Sequence, residues 1–311
     1  MKLLTKILFA TDFLQSYEQV FQHALAVARK FDAEIVPIHV LPESIGDEKA
    51  RRLLQEAASK ELNQLVRRIE AKGVKPGVPL LEFGVHYDKI VAAASRIDAN
   101  FILIGAGEKK EEDRFLLGTT AEKIIRRSNK PVWVVKSDQP FAMKCILCPV
   151  DFSKQSALAL RNALVLARRF EARLVIFSVF EKRFAASDVP SHDWDAFEEY
   201  WAHVESREER EYLKQFREFL EEFNLQGVEV EEKIVFGAVA PEILHAIEKY
   251  EADLLVMGTT GRTGLSRLMM GSVTEKVIRE LSCSFITTKA EDVIKLQLEQ
   301  RIHDIETHHA N

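Results

Sequence analysis

The feature that most constrains this chain is that it repeats itself. Aligned without gaps, ILFATDFLQSYEQVFQHALAVARKFDAEIVPIHV (7–40) and ILCPVDFSKQSALALRNALVLARRFEARLVIFSV (146–179) agree at 12 of 34 positions. Further on, Phe83-Gly84 matches Phe236-Gly237, and GTTAEKIIRR (118–127) matches GSVTEKVIRE (271–280). The offset grows from 139 residues to 153, so the second copy carries 14 more residues between its second and third strands. A repeat of this length means two whole domains rather than a solenoid of short units. The total of 311 residues agrees with a prior of roughly 150 residues per domain. We place the first domain at 1–138, the second at 143–290 and a helical tail at 291–311.

Within each copy the hydrophobic period alternates. KILFAT and CILCPV are short apolar runs suited to buried strands, and the segments after them, QVFQHALAVARKF and ALALRNALVLARRF, space their apolar residues as helices do. EIVPIHV and RLVIFSV are again buried-strand runs. Charged amphipathic helices are expected at 47–72 and roughly 193–224. Each copy then closes with strand, helix, strand, loop, helix and strand. The expected fold class is therefore α/β: two similar doubly wound domains, each a five-stranded, mainly parallel sheet with helices on both faces.

Composition removes several functions. A hydrophobic fraction of 47% beside 29% charged residues is ordinary for a globular chain, and a net charge of -5 offers no basic surplus for nucleic acid. No stretch is long and apolar enough to span a bilayer, and the N-terminal apolar run meets Asp12 too early for a secretory core. Three cysteines suit a reducing compartment, so we expect a cytoplasmic protein with neither nucleic-acid nor membrane partner. Cys145 and Cys148 form a CxxC, but three positions along a strand put their side chains on opposite faces, roughly 10 Å apart. That separation fits neither a disulfide nor a shared metal.

The chemistry concentrates in MGTTGRTGLSRLMMGSVTEKV (257–277), between a strand and a helix. Loops at the carboxyl ends of strands are where open α/β sheets take ligands. Gly258, Gly261, Gly264 and Gly271 allow close backbone approach, Ser272 and Thr274 carry hydroxyls, and Arg262 and Arg267 add positive charge. With a helix N-terminus following, the stretch reads as a phosphate cradle. It is neither a Walker loop nor a dinucleotide fingerprint. A loop merely shaped by glycines, with Asp151 capping a helix, is the plainer alternative.

The spacing G-x2-G-x9-G-S, set by Gly258, Gly261, Gly271 and Ser272, resembles the universal stress protein family in its tandem form. The likeness covers nearly the whole chain and includes the PVDFS that ends the first strand of the second copy. It implies an adenine-nucleotide alpha hydrolase-like fold and ATP as ligand, with or without Mg²⁺, AMP and ADP being left open. The same resemblance implies that Asp151, beside Pro149 and Val150, contacts the nucleoside, and that the backbone of Val179 contacts adenine. It assigns triphosphate and ribose to Met257, Gly258, Thr260, Gly261, Gly271, Ser272, Val273 and Thr274. Val239 stands where some relatives carry proline, with Pro241 two further on, so a local difference in that helix start is expected.

The first copy departs from the pattern. IGAGEKKEEDRFLLGTTAEKI keeps Gly105, Gly118 and Thr119 but puts Glu108 at the middle glycine, followed by Glu111, Glu112 and Asp113. Carboxylates repel a triphosphate, and Lys109, Lys110 and Arg114 offset only part of that charge. With Asp12 retained, a pocket without phosphate affinity is expected: the second domain is expected to bind nucleotide, and the first to bind it weakly or not at all.

Single-domain members of the family commonly pair through the last strand. PVWVV (131–135) and SFITT (284–288) are accordingly expected to pair antiparallel, making the chain an internal pseudo-dimer; a homodimer and an unidentified protein partner are left open. Trp194, Phe197, Trp201, Phe216, Phe219 and Phe223 have the spacing of a helix packed on the sheet or on the partner domain. In the tail, Ile294, Leu298, Ile302 and Ile305 make an apolar stripe, and His303, His308 and His309 read as exposed terminal residues. The expected function is a nucleotide-dependent stress-response regulator or binding module. Two alternatives stay open: a slow ATPase or adenylyl/phosphoryl transferase, for which no general base is legible, and a nucleotide-independent interaction protein.

Overall fold

Each copy builds the same alternation of elements. The computed structural model describes residues 4–13, 17–44, 47–107, 117–136, 141–181, 194–259 and 270–288, with 194–206 described by backbone alone. The first half runs β1 (Lys6–Ala10), α1 (Tyr17–Phe31), β2 (Glu34–Leu41), α2 (Glu48–Ala71), β3 (Leu80–Phe83), α3 (His86–Arg96), β4 (Phe101–Gly105), α4 (Thr119–Arg127) and β5 (Val132–Val135). The second runs β6 (Cys145–Pro149), α5 (Lys154–Phe170), β7 (Arg173–Phe180), α6 (Trp194–Glu221), β8 (Val230–Phe236), α7 (Val239–Lys249), β9 (Leu254–Gly258), α8 (Ser272–Glu280) and β10 (Ser284–Thr288).

The strands form one sheet in the order β3-β2-β1-β4-β5-β10-β9-β6-β7-β8. Within each half all pairings are parallel, which is why the central strands read as unbroken apolar runs: helices cover both of their faces. The halves meet where β5 and β10 pair antiparallel, with Ile286 opposite Trp133. That is the pairing expected from the two terminal strand runs. It turns two five-stranded sheets into one and removes two edges that would otherwise need cover.

Two hydrophobic cores follow, one on each face, and each contains residues from both halves. On one face α1, α2, α5 and α6 bury Phe21, Leu65, Leu160 and Phe219 against Phe9, Trp133, Ile146 and Ile286. On the other, α3, α4, α7 and α8 bury Ile90, Ile124, Ile243 and Val277 against Leu8, Val134, Leu147 and Phe285. Across the seam Phe31 and Phe170 meet edge to face at 6.3 Å, and Arg126 reaches Glu275 at 3.5 Å.

The expected helix at 47–72 appears as α2, capped by Asp47, whose carboxylate accepts from the amides of Lys49 and Ala50. In α6, Phe216 and Phe219 are buried in the sheet core, as the aromatic spacing suggested. The side chains of Trp194, Phe197 and Trp201 and the helical tail expected at 291–311 lie outside the described residues. α7 begins at Val239, the position matching the start of α3, and Pro241 sits in its first turn, where no intrahelical N–H is required.

The CxxC behaves as strand geometry requires. Cys148 belongs to one core and Cys145 to the other, so their thiols lie on opposite faces of β6. Burial pushes the Cys148 thiol far above its ordinary value and that of Cys283 up to about 12; Cys145 is raised by burial and partly relieved by Arg173. Because the thiolate is the reactive form, iodoacetamide at mildly alkaline pH should leave all three cysteines unmodified in the folded protein and alkylate all three once it is denatured. Intact-mass spectrometry reads the difference, and a rapid adduct on Cys148 in the native protein would contradict the burial.

Candidate functional site

β6 sits between β7 and β9, and the crossovers to its two neighbours lie on opposite faces of the sheet. The chain therefore diverges at the carboxyl end of β6 and leaves a crevice there, the usual ligand position in such sheets. Pro149 and buried Val150 end the strand, the Val150 amide donating to Phe177 O at 2.8 Å. Asp151 follows, and its Oδ1 accepts from the Ser153 amide at 3.1 Å and from Ser153 Oγ at 2.5 Å. The cap of α5 is Ser153, which accepts from the Ser156 amide, so the reading of Asp151 as a helix cap is not what the structure shows. Asp151 instead closes the turn between β6 and α5.

Across the crevice, β9 and the start of α8 are laced together. The Gly271 amide donates to Thr259 O at 2.8 Å, and Thr274 Oγ1 donates to Gly258 O at 3.1 Å. Thr274 is buried, so its hydroxyl acts as a staple within the protein rather than as a donor presented to solvent. The first helical bond of α8 is Glu275 N to Gly271 O, and Gly271, the N-cap, lends no side-chain cap. The amides of Ser272, Val273 and Thr274 thus lack an intrahelical acceptor at the positive end of the helix. Ser272 is exposed and Val273 half-buried, while Met257 is buried in the core beneath. Thr260, Gly261 and Arg262 lie outside the described residues, as do Gly264 and Arg267.

Gly258 has a role that its sequence context did not reveal. A Cβ added there would lie 2.9 Å from Gln155 Cβ and 3.2 Å from Gln155 C. The missing side chain lets the first turn of α5 press against the end of β9.

At Val179 the structure adds a residue that sequence reasoning missed. Tyr212, on α6, donates its hydroxyl to Val179 O at 2.9 Å and lies 2.7 Å from Ser178 Oγ, which itself donates to Val150 O at 2.8 Å. Phe152 and Phe180 flank the ring with centroids 5.0 and 4.9 Å away. The signal was present in the aromatic spacing of the inserted helix, but nothing in that spacing says which strand end the hydroxyl reaches.

The first half keeps a cavity at the equivalent place. It measures ≈ 360 Å³ and is lined by Asp12, His39, Val40, His86, Gly105 and Thr119, among others. His39 Nδ1 bonds Thr11 O at 2.8 Å, matching Ser178 on Val150 O in the second half. Gly118 repeats the lacing of Gly271, its amide donating to Ala106 O at 2.7 Å. Gly107, at φ 104°, takes a conformation other residues rarely adopt, and a Cβ there would meet Gly118 Cα at 3.3 Å. The charged loop from Glu108 to Arg114 lies outside the described residues.

Comparison with known proteins agrees with this architecture. The model of the universal stress protein family matches residues 4–136 and again 143–289. A universal stress protein of Methanocaldococcus jannaschii is 34% identical over 146 residues, which is 47% of this chain and 82% of the relative. Among solved structures, a putative universal stress protein from Pseudomonas aeruginosa covers 96% of this chain and 97% of its own at TM-score 0.69 and 20% identity. One from Archaeoglobus fulgidus covers 91% and 98% at TM-score 0.66 and 22% identity. At those identities the structures speak for the fold alone, while the double family match covers nearly the whole sequence. The chain belongs to the universal stress protein family and carries its domain twice in one polypeptide.

Proposed function

We propose that the second half binds an adenine nucleotide, ATP foremost, and that the protein serves in the cytoplasm as a nucleotide-dependent binding module of the stress response. The observation that carries this reading is the N-terminus of α8, without a side-chain cap among the described residues, laced to the end of β9 and set across the switch crevice from Asp151. Unpaired amides at a helix start favour a phosphate. Asp151, with Pro149 and Val150, would meet the nucleoside, and Val179 the base. Gly258, Gly271, Ser272 and Val273, with Thr260, Gly261 and Arg262 of the intervening loop, would hold ribose and phosphates, Thr274 and Met257 shaping the floor. Mg²⁺, when present, would supply charge neutralisation at the phosphates.

A binding role suits the acidic groups nearby better than turnover does. Asp151 is engaged by Ser153, and Glu275 pairs with Arg279 at 2.6 Å and with Arg126 across the seam. The first half, whose sequence puts Glu108 in the loop, serves as the structural partner.

Freshly purified protein, denatured and chromatographed, should release on the order of one adenine nucleotide per chain, or else gain thermal stability with added ATP. Saturation at about 100 times Kd corresponds to about 2.7 kcal/mol. Gly261→Glu, which copies the first half, should abolish both effects. Neither release nor protection by millimolar ATP in the unaltered protein overturns the reading.

A further inference from the structure

β7 outruns β6. The Val150 amide on Phe177 O is the last rung between them, and β7 continues to Phe180. Carbonyls on one side of a strand recur every second residue, so Val179 O overhangs the end of β6 in the switch crevice. A planar base seated there offers that carbonyl a ring N–H or an amino group. In this structure the position is taken by the chain's own Tyr212 hydroxyl, 2.9 Å from Val179 O.

The tyrosine is built in rather than draped over the surface. Its hydroxyl also lies 2.7 Å from Ser178 Oγ, and Phe152 and Phe180 hold its ring. The first half provides an internal comparison. Its α2 contains no aromatic residue and buries Ala58, Leu62, Leu65 and Ile69 instead. There the counterparts of Ser178 and Val179, His39 and Val40, line the ≈ 360 Å³ cavity.

Building on the nucleotide reading of the second half, we propose that Tyr212 is an internal competitor for the base-recognising carbonyl of Val179. A base enters only as the tyrosine hydroxyl leaves. Tyr212 therefore weakens nucleotide affinity, and loading of the second half loosens the C-terminal part of α6. Nucleotide occupancy is thereby passed to the helix that the second copy's longer sequence enlarges.

The test is ATP titration of full-length protein by calorimetry beside Tyr212→Phe, with hydrogen exchange of the unaltered protein with and without ATP. Tyr212→Phe keeps the ring packing and removes the neutral hydrogen bond on Val179 O together with the Ser178 contact; with the carbonyl freed, ATP should bind roughly three- to tenfold more tightly. In the unaltered protein, ATP should speed amide exchange in residues 207–221 while slowing it at 272–274. Equal or weaker ATP affinity in Tyr212→Phe overturns the competitor role and leaves the nucleotide reading standing. Slower exchange of 207–221 on ATP binding overturns it too, and does so even if the variant fails to fold. No ATP binding by either protein overturns both.

Discussion

Trp133→Ala is expected to destabilise the protein by about 3–5 kcal/mol, the usual cost of deleting a buried aromatic side chain. Trp133 is 1% exposed and lies on β5 opposite Ile286 of β10, at the joint between the halves. Its ring stands 5.6 Å from Phe101 and belongs to the core shared by α1 and α5. The cavity left by alanine would sit where the halves join, so both should lose stability together, seen as one denaturant transition moved to lower concentration. Trp133→Phe should cost much less. Among the described residues the buried indole Nε1 has no hydrogen-bond partner, so phenylalanine sheds an unsatisfied donor along with part of the volume. Equal losses in the two variants would mean that the indole itself, rather than the volume it fills, governs the site.

Gly258→Val is expected to cost about 3 kcal/mol, at the upper end for overpacking, and to disturb the candidate site. The added Cβ would press on Gln155 through its Cβ at 2.9 Å and its backbone at 3.2 and 3.3 Å, and backbone cannot swing aside. To relieve the clash, the start of α5 must move away from β9, carrying with it Ser153, which holds Asp151. Thermal unfolding measures the first effect and nucleotide titration the second. Gly258→Ala should fall between glycine and valine. A Gly258→Val protein as stable as the original would show that α5 has slack the packing denies.

The two predictions separate what was readable in the chain from what was not. Trp133 lies in a run, PVWVV, whose length and apolar character marked it as a short strand needing cover, and β5 does pair with β10. α2, expected at 47–72, spans Glu48–Ala71, because amphipathic period and an Asp cap are local properties. Gly258 was legible as a special position but for a different reason: its neighbour is a helix 103 residues earlier in sequence. Local pattern shows that a side chain is missing, not what has come close.

Tyr212 marks the same boundary. Its place in an aromatic, helical insertion was visible, yet its meeting with Val179 depends on how far along its axis α6 docks on the sheet. By itself the sequence determined the duplication, the strand and helix alternation and the opposite faces taken by Cys145 and Cys148, since repeat and periodicity are written residue by residue. Only the tertiary structure decided that Ser153 rather than Asp151 caps α5, that Gly258 yields its space to Gln155, and that a tyrosine lies on the Val179 carbonyl. The reason is physical: period and composition fix which face of an element is apolar, whereas its translation and rotation on its neighbours come from close packing summed over the whole core.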